Sequence, residues 1–211
     1  PPPGPLAATL QAPFLVRGAV AIGGGVLVVG VDNQNDRDSS PVPGTRQALA
    51  TFIHDNAALS WARVFGGPTD NDQFLAAIKD GEEAIVLGIR GVGGVGSVTL
   101  TRFSGGGAIG ASMTFQGVAG DAFITDAALV GDNIIASGRS GGDAALFIID
   151  ESANMMTTYR FDFSGSFNGV AVVGDKIYAA GEDTGNDDGV VAEFTPKTQP
   201  RRPCTGCPTL S

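Results

Sequence analysis

The chain has 211 residues, of which 22 are acidic and 13 basic, so its formal net charge at pH 7 is −9. An acidic chain lacks the basic surface that a phosphate backbone or an anionic membrane requires, so we expect no nucleic-acid partner. No apolar run approaches the roughly 18 residues of a membrane span, so we expect no membrane insertion. One His and two Cys are too few for a His-based metal cluster or a Cys–His catalytic site.

Short apolar runs that end in Gly recur along the chain with a period of about 50 residues. They are VLVVG (Val26–Gly30), AIVLG (Ala84–Gly88), IIASG (Ile134–Gly138) and IYAAG (Ile177–Gly181). Each is preceded by another short run and a tight turn, and each is followed, after a loop, by a third run that carries Phe. Such self-similarity indicates four copies of one supersecondary unit.

A fourth run closes three of these units with an aromatic residue and a following Gly, at Trp61–Gly67, Ser112–Gly117 and Arg160–Gly165. Short runs rich in Val, Ile, Phe and Thr are typical of strands. A four-stranded unit that repeats every 40 to 50 residues or so is the form of a β-propeller blade. We therefore predict an all-β fold: a four-bladed β-propeller of about 16 antiparallel strands over residues 6–195, between Pro-rich ends at 1–5 and 196–211.

The last unit lacks a fourth strand, and the start of the chain supplies a candidate. TLQA (Thr9–Ala12) matches TFQG (Thr114–Gly117), which ends a fourth strand, and it too is followed by a first strand. Such a strand can complete the last blade of its own molecule or of a neighbour. The alternative is a disordered arm whose match is chance. The residues expected to serve assembly are Leu6, Thr9, Leu10 and Gln11 in this strand, and Arg201 and Arg202 in the tail, which can dock on an acidic surface.

The repeat resembles the β-propeller repeats of bacterial surface proteins, the SBBP-type repeats. Three stretches carry the likeness: WARVFGGPTDND from Trp61, EAIVLGIRG from Glu83 and DAALFIIDESAN from Asp143. The resemblance covers nearly all of Leu6–Thr195. It implies a module that is exported and associated with the cell surface, with no catalytic residues to carry over.

Acidic residues cluster in loops that a propeller places on one rim. Those of the first and last units are Asp32, Asp36, Asp38, Asp183, Asp187 and Asp188, and Asp70, Asp72, Asp121 and Asp143 fall at or near the same rim. The first loop, DNQNDRD, alternates oxygen ligands at every second position, as calcium loops do, but it lacks the central Gly and the Glu of an EF-hand. A calcium site at Asp32, Asp36 and Asp38 is therefore one interpretation, and a solvated polar loop is the other. We expect no further cofactor.

Two motifs that resemble catalytic or cofactor signatures favour structural interpretations. GVGGVG (Gly91–Gly96) matches the dinucleotide pattern, but a β-type run follows it where a helix is required, so we expect a flexible rim loop. His54 lies in the expected turn between the third and fourth strands, beside Asp55, and we interpret it as a polar turn residue. Trp61 and Tyr159 lie on fourth strands, where inter-blade packing is expected and contact with a sugar or a partner protein is the alternative.

The two ends differ in composition from the repeats. The chain begins PPPGP without Met, which favours a mature product or an excised domain. Cys204 and Cys207 form an isolated CTGC that lacks further zinc ligands. A local disulfide and two free thiols both fit, and export would favour the disulfide.

Three functions remain open at this point. The first is a non-enzymatic extracellular building block that associates with its own copies, by strand exchange and tail docking, into an oligomer or filament. The second is a lectin-like module that binds surface glycans or cations at the acidic rim. The third, a glycoside-processing enzyme, has no distinctive carboxylate pair to support it.

Overall fold

The structure, a computed structural model, describes residues 14–32, 47–56, 58–66, 72–92, 95–115 and 122–195. These residues form fourteen β-strands and no helix. Among them, accordingly, no helix is long and apolar enough to cross a membrane. The strands are β1 (Phe14–Ile22), β2 (Gly25–Asp32), β3 (Gln47–His54), β4 (Leu59–Phe65), β5 (Gln73–Asp80), β6 (Glu83–Val92), β7 (Val95–Phe103), β8 (Ile109–Phe115), β9 (Phe123–Val130), β10 (Asn133–Ser140), β11 (Asp143–Asp150), β12 (Met155–Val173), β13 (Lys176–Asp183) and β14 (Asp188–Phe194).

The strands form four antiparallel meanders, which we call units 1 to 4. Unit 1 consists of β1 to β4 and unit 2 of β5 to β8. Unit 3 consists of β9 to β11 and the first part of β12, and unit 4 of the second part of β12 with β13 and β14. The predicted all-β, antiparallel fold is thus confirmed, and the strands fall on the apolar runs of the repeat.

One long strand joins units 3 and 4, where the repeat predicts two separate strands. The first part of β12 pairs with β11, and from Gly165 onward the strand pairs with β13. The backbone turns at Gly165, whose φ is +150°. Because the fourth strand of unit 3 runs directly into the first strand of unit 4, the two units must stack on each other.

The second strands of units 2 and 3 are apolar on both faces because neighbouring units cover both. In unit 2, Ile85 and Leu87 pack into the core shared with unit 3, whereas Ala84 and Val86 pack into the core shared with unit 1. All four side chains are fully buried. A short continuous apolar run is the pattern expected of a strand buried on both sides.

The Gly that closes each run marks a close approach of two strands. In the second strands of units 2, 3 and 4, a Cβ at Gly88, Gly138 or Gly181 would collide with a backbone carbonyl oxygen of the first strand. The pairing of first and second strands shifts register beside each of these glycines. The glycines that recur with the period of the repeat therefore mark a β-bulge between the first and second strands, which every unit shares.

Units 2 and 3 are also joined by an ion cluster around Arg102. Its guanidinium Nε and Nη2 donate to Glu151 of unit 3 over 2.9 Å each. Its Nη1 donates to Asp80 over 2.8 Å and to Glu83 over 3.1 Å, both in unit 2. The bond to Glu151 is the main cause that raises the pKa of Arg102 above its ordinary value, with smaller contributions from Asp80 and Glu83, against the lowering effect of burial.

The three core clusters connect unit 1 to unit 2, unit 2 to unit 3 and unit 3 to unit 4. Among the described residues, no core cluster joins unit 4 back to unit 1. The described part is therefore a stack of four units, and closure into a four-bladed ring stays a prediction. The expected N-terminal strand over Leu6–Ala12 lies outside the described residues, as do the remaining predicted features Arg201, Arg202, Cys204 and Cys207.

Candidate functional site

Unit 4 turns one face of its sheet away from unit 3. We call this the outer face of unit 4, and it consists of Ala171, Val173, Lys176, Tyr178, Ala180, Glu182, Val191 and Glu193. Val173 is 66% exposed and Val191 is 74% exposed. Tyr178 and Ala180 hold the positions that Ile85 and Leu87 hold in unit 2, counted back from the closing Gly. The outer face of unit 4 thus corresponds, position by position along the second strand, to the face of unit 2 that is buried against unit 3.

The polar groups of Lys176, Tyr178 and Glu193 on this face are hydrogen-bonded to one another. Lys176 Nζ donates to Glu193 Oε1 over 2.7 Å, and Tyr178 is hydrogen-bonded to the same carboxylate. Donation by Lys176 first, and by Tyr178 second, lowers the pKa of Glu193. The partner carboxylate in turn raises the pKa of Lys176. A surface that covers this face would therefore meet, at Lys176 and Glu193, charges that are already paired, which reduces the cost of burying them.

Unit 1 has the complementary feature on the opposite side of the stack. We call the face that it turns away from unit 2 the outer face of unit 1. Its central members are mostly apolar: Ala19, Ala21, Val26, Val28, Leu49, Ile53, Ala62 and Val64, with Thr51 among them. Val26 is 38% and Val64 is 50% exposed, whereas Thr51 is buried. On the corresponding face of unit 2, Ala84, Val86 and Phe103 are fully buried against unit 1.

β14 is the last strand of unit 4 and pairs only with β13 among the described strands. An edge strand presents unpaired N–H and C=O groups that can pair with an additional strand. In unit 3 the position beside the third strand is occupied by the first part of β12. The edge of β14 is thus the place where a fourth strand of unit 4 would pair.

The acidic rim is present in part. Asp143, which the loop pattern assigns to this rim, lies with Asp162, Asp183 and Asn186 around a cavity of about 340 Å³ between units 3 and 4. The sequence gives no signal for Asp162, because it lies within the long strand β12. Asp183 accepts hydrogen bonds from the backbone N–H of Gly185 over 2.9 Å and from Asn186 Nδ2 over 2.7 Å, so it also stabilises its own turn.

The proposed calcium loop is described only at its start. Asp32 ends β2, while Asp36 and Asp38 lie outside the described residues. In the part of the chain that the structure describes, no group of three acidic, His or Cys side chains is arranged to hold a metal ion. A calcium site at Asp32, Asp36 and Asp38 therefore stays a prediction.

The glycine-rich motif and the single His have structural roles. Gly91 pairs with Gly96, and Val92 with Val95, so these residues of GVGGVG end the two strands of the β6–β7 hairpin, while Gly93 and Gly94, at the centre of the expected rim loop, lie outside the described residues. The strands continue into the motif because glycines can still form the ladder hydrogen bonds. His54 ends β3 at an exposed turn, as expected, and its ring meets the edge of Phe52 at a centroid distance of 5.4 Å.

Both aromatic residues on fourth strands serve packing between units. Trp61 stacks between Phe52 of unit 1 and Phe103 of unit 2, at centroid distances of 6.4 and 6.1 Å. Tyr159 of unit 3 packs on Phe194 of unit 4 at 4.9 Å. The interpretation as inter-unit packing is confirmed.

Neither a family model nor a curated protein matches this chain. Solved structures are similar in fold. A puromycin-hydrolyzing peptidase from Mycobacterium tuberculosis matches 91% of this chain with a TM-score of 0.53 and 15% identity. A puromycin hydrolase mutant matches 86% of it with a TM-score of 0.49 and 14% identity. This chain spans only 28% and 27% of those two proteins. The likeness to the first concerns the fold and not the activity.

Proposed function

We propose that this chain is a non-enzymatic structural module that associates with copies of itself. The observation that carries the proposal is the pair of outer faces, on which Val26, Val64, Val173 and Val191 stay exposed although the corresponding faces of other units are buried between units. Exposed apolar side chains grouped on one face of a folded domain mark a contact surface. In this proposal the outer face of unit 4 of one copy packs on the outer face of unit 1 of the next.

The join between units 3 and 4 is the template for this contact. There, one strand completes unit 3 and continues as the first strand of unit 4, which places the two units face to face. If Leu6–Ala12 adds to β14 as a fourth strand, its continuation into β1 places unit 1 on the outer face of unit 4 in the same way. Strand addition and face packing are then one event.

This event has two possible products. Within one molecule it closes a four-bladed propeller, which is the finer form of the fold prediction. Between molecules it is a head-to-tail contact, and such a contact forms a ring if its rotation closes and a filament if it does not. We propose the intermolecular product, with Arg201 and Arg202 docking on the acidic rim. Its setting outside the cell, at the cell surface, rests on the resemblance to SBBP-type repeats.

Light scattering over a concentration series tests the proposal. We expect a mass that rises with concentration from 21.3 kDa for the single chain. Deletion of residues 1–12, and separately Val191→Asp, should each hold the mass at that of the monomer. Val191→Asp places an unpaired charge at the centre of the contact while changing only an exposed residue of the monomer.

Met155→Asp is the matched control, since Met155 is 59% exposed but lies on neither outer face. It should assemble as the natural chain does. A natural chain whose mass stays constant at the monomer value would overturn the intermolecular proposal. So would polymers that form equally well from the Val191→Asp chain.

The alternative is a lectin-like module that binds cations or surface glycans at the acidic rim. The cavity around Asp143, Asp162 and Asp183 supports its glycan-binding form, because carboxylates accept hydrogen bonds from sugar hydroxyls, whereas these three carboxylates are not arranged to hold a metal ion. The cation-binding form rests on the loop at Asp32, Asp36 and Asp38: millimolar calcium would then raise the melting temperature, and Asp36→Asn would remove the increase. An unchanged melting temperature would eliminate the cation-binding form.

A further inference from the structure

A cleft of about 450 Å³ opens between units 1 and 2. One wall is formed by Ala48 and Phe65 of unit 1. The facing wall, on β7 and β8 of unit 2, carries four hydroxyl groups. Its members are Thr99, Thr101, Ser112 and Thr114. The volume is within the range of small-molecule sites, roughly 300 to 1,000 Å³.

Two of the four hydroxyl groups are replaced by apolar side chains at the corresponding interface between units 2 and 3. By strand register, Thr99 and Thr101 correspond to Ala145 and Phe147 of unit 3. Those two side chains are fully buried in the core with unit 2. Where unit 3 fills the space between units with an aromatic ring, unit 2 presents short polar groups and leaves the space open. Units 2 and 3 pack with apolar residues at these two positions, so packing does not require the threonines of unit 2.

The cleft is also lined by a carboxylate, an amide and a guanidinium, which are planar hydrogen-bonding groups. Asp72 and Gln73 line it and are each only 7% exposed, and Arg90 lies beside them. Thr101 Oγ1 and Ser112 Oγ lie 3.2 Å apart on the hydroxyl wall. Opposite this wall, Phe65 presents an aromatic ring that packs on Phe74 at a centroid distance of 5.0 Å.

These groups select a ligand by their chemistry. Hydroxyls both donate and accept, so a row of them matches a ligand that carries several hydroxyls of its own. A carboxylate and a guanidinium in the same cleft balance each other, which favours a neutral ligand over an anion or a cation. The aromatic ring offers an apolar surface to C–H groups. We propose that this cleft binds a neutral sugar.

The site is separate from the assembly contact, because its residues lie on the faces that units 1 and 2 turn toward each other. The proposal therefore does not depend on self-association. It differs as well from glycan binding at the cavity around Asp143, Asp162 and Asp183, which lies between units 3 and 4.

Calorimetric titration of the full chain tests the proposal. The probes are glucose, galactose, mannose, xylose, N-acetylglucosamine, and the disaccharides maltose and cellobiose, each up to about 10 mM. We expect at least one to bind. Ser112→Ala and Thr101→Val should each weaken that binding about fivefold to tenfold, since each removes one hydrogen-bonding hydroxyl.

Thr158→Val is the matched control, because Thr158 holds in unit 3 the position of Ser112 and does not line the cleft. It should bind as the natural chain does. Ser112 and Thr158 are both exposed, so neither change disturbs the core. Failure of every probe to bind would overturn the proposal, and so would binding that both cleft variants leave unchanged. The Ser112→Ala chain should still assemble, so loss of sugar binding and loss of assembly are distinguishable.

Discussion

The interface between units 2 and 3 and the outer face of unit 4 have the same strand pattern but different surroundings. At the interface, Ile85 and Leu87 are fully buried by unit 3. On the outer face, Tyr178 and Ala180 hold the same positions, and Val191 beside them is 74% exposed. The comparison shows that the pattern of apolar residues along a strand indicates which sheet faces can be buried. Which of these faces are actually buried depends on whether a neighbouring unit lies against them.

Truncation of one apolar side chain at the interface and one on the outer face should give the largest difference in the free energy of unfolding. Phe147→Ala at the interface should lower the free energy of unfolding by about 3–5 kcal/mol, because it removes a fully buried ring and leaves a cavity. Val191→Ala should change it by less than about 0.5 kcal/mol in the monomer. Urea unfolding at a concentration where the chain is monomeric measures both. Equal losses would mean that the outer face is covered in the monomer.

Glycine replacement gives the next largest effect. Gly138→Ala in unit 3 should lower the free energy of unfolding by about 1–3 kcal/mol, since its Cβ would collide with the carbonyl oxygen of Phe123. A Cβ at Gly189 of unit 4 meets nothing within 4 Å. Gly189→Ala is therefore the control and should be neutral or slightly stabilising. Thermal unfolding compares the two, and a neutral Gly138→Ala would contradict the bulge as the reason for the repeat.

The ion cluster between units 2 and 3 should contribute a smaller amount. Arg102→Met leaves the carboxylates of Asp80, Glu83 and Glu151 without their shared cation, and should cost about 1–2 kcal/mol. The control is Arg160→Met, since Arg160 is 55% exposed and lies 3.8 Å from Asp143. Its cost should be near zero. Denaturant unfolding at low and high salt measures both, and a loss at Arg102 no larger than at Arg160 would mean that the cluster does not join the units.

The smallest effect concerns the exposed pair on the outer face of unit 4. The pKa of Glu193 is lowered in the folded chain, so its contribution is present above the unfolded pKa and is lost as pH falls through the folded one. Glu193→Gln should therefore lower the melting temperature slightly at pH 7, and the difference should become smaller as the pH falls towards 3. Melting curves over this range test this. A difference that stays constant with pH would show that the effect of Glu193 is not ionic.

Much of the fold could be predicted from the sequence because the repeat is local. The closing glycines and the apolar runs located the strands of all four units, including the three-stranded form of the last one. The continuous strand β12 was not predictable, because Gly165 and its neighbours are typical of a turn. Pairing on both sides, first with β11 and then with β13, keeps this segment extended.

The candidate sites were less predictable, because they depend on contacts between units. Nothing in the sequence order brings Thr101 and Ser112 to one cleft with Asp72, or sets Asp162 beside Asp183. These residues meet only once sheets stack and registers are set. The third strands give no clear signal for the cleft: Thr99 and Thr101 hold the positions of Ala145 and Phe147 in unit 3, but unit 1 carries Thr51 where unit 2 carries Thr101.

The sequence by itself determined the unit, its strands and its two apolar faces, because alternation and close backbone approach act over a few residues. Only the tertiary structure decided which faces are covered, where a cleft is left open and which carboxylates share a cation. Those outcomes depend on how one sheet sits on the next, and they require side chains distant in the chain to meet. For the outer faces of units 1 and 4, our proposal is that a second copy of the chain covers them by the same kind of packing between sheets.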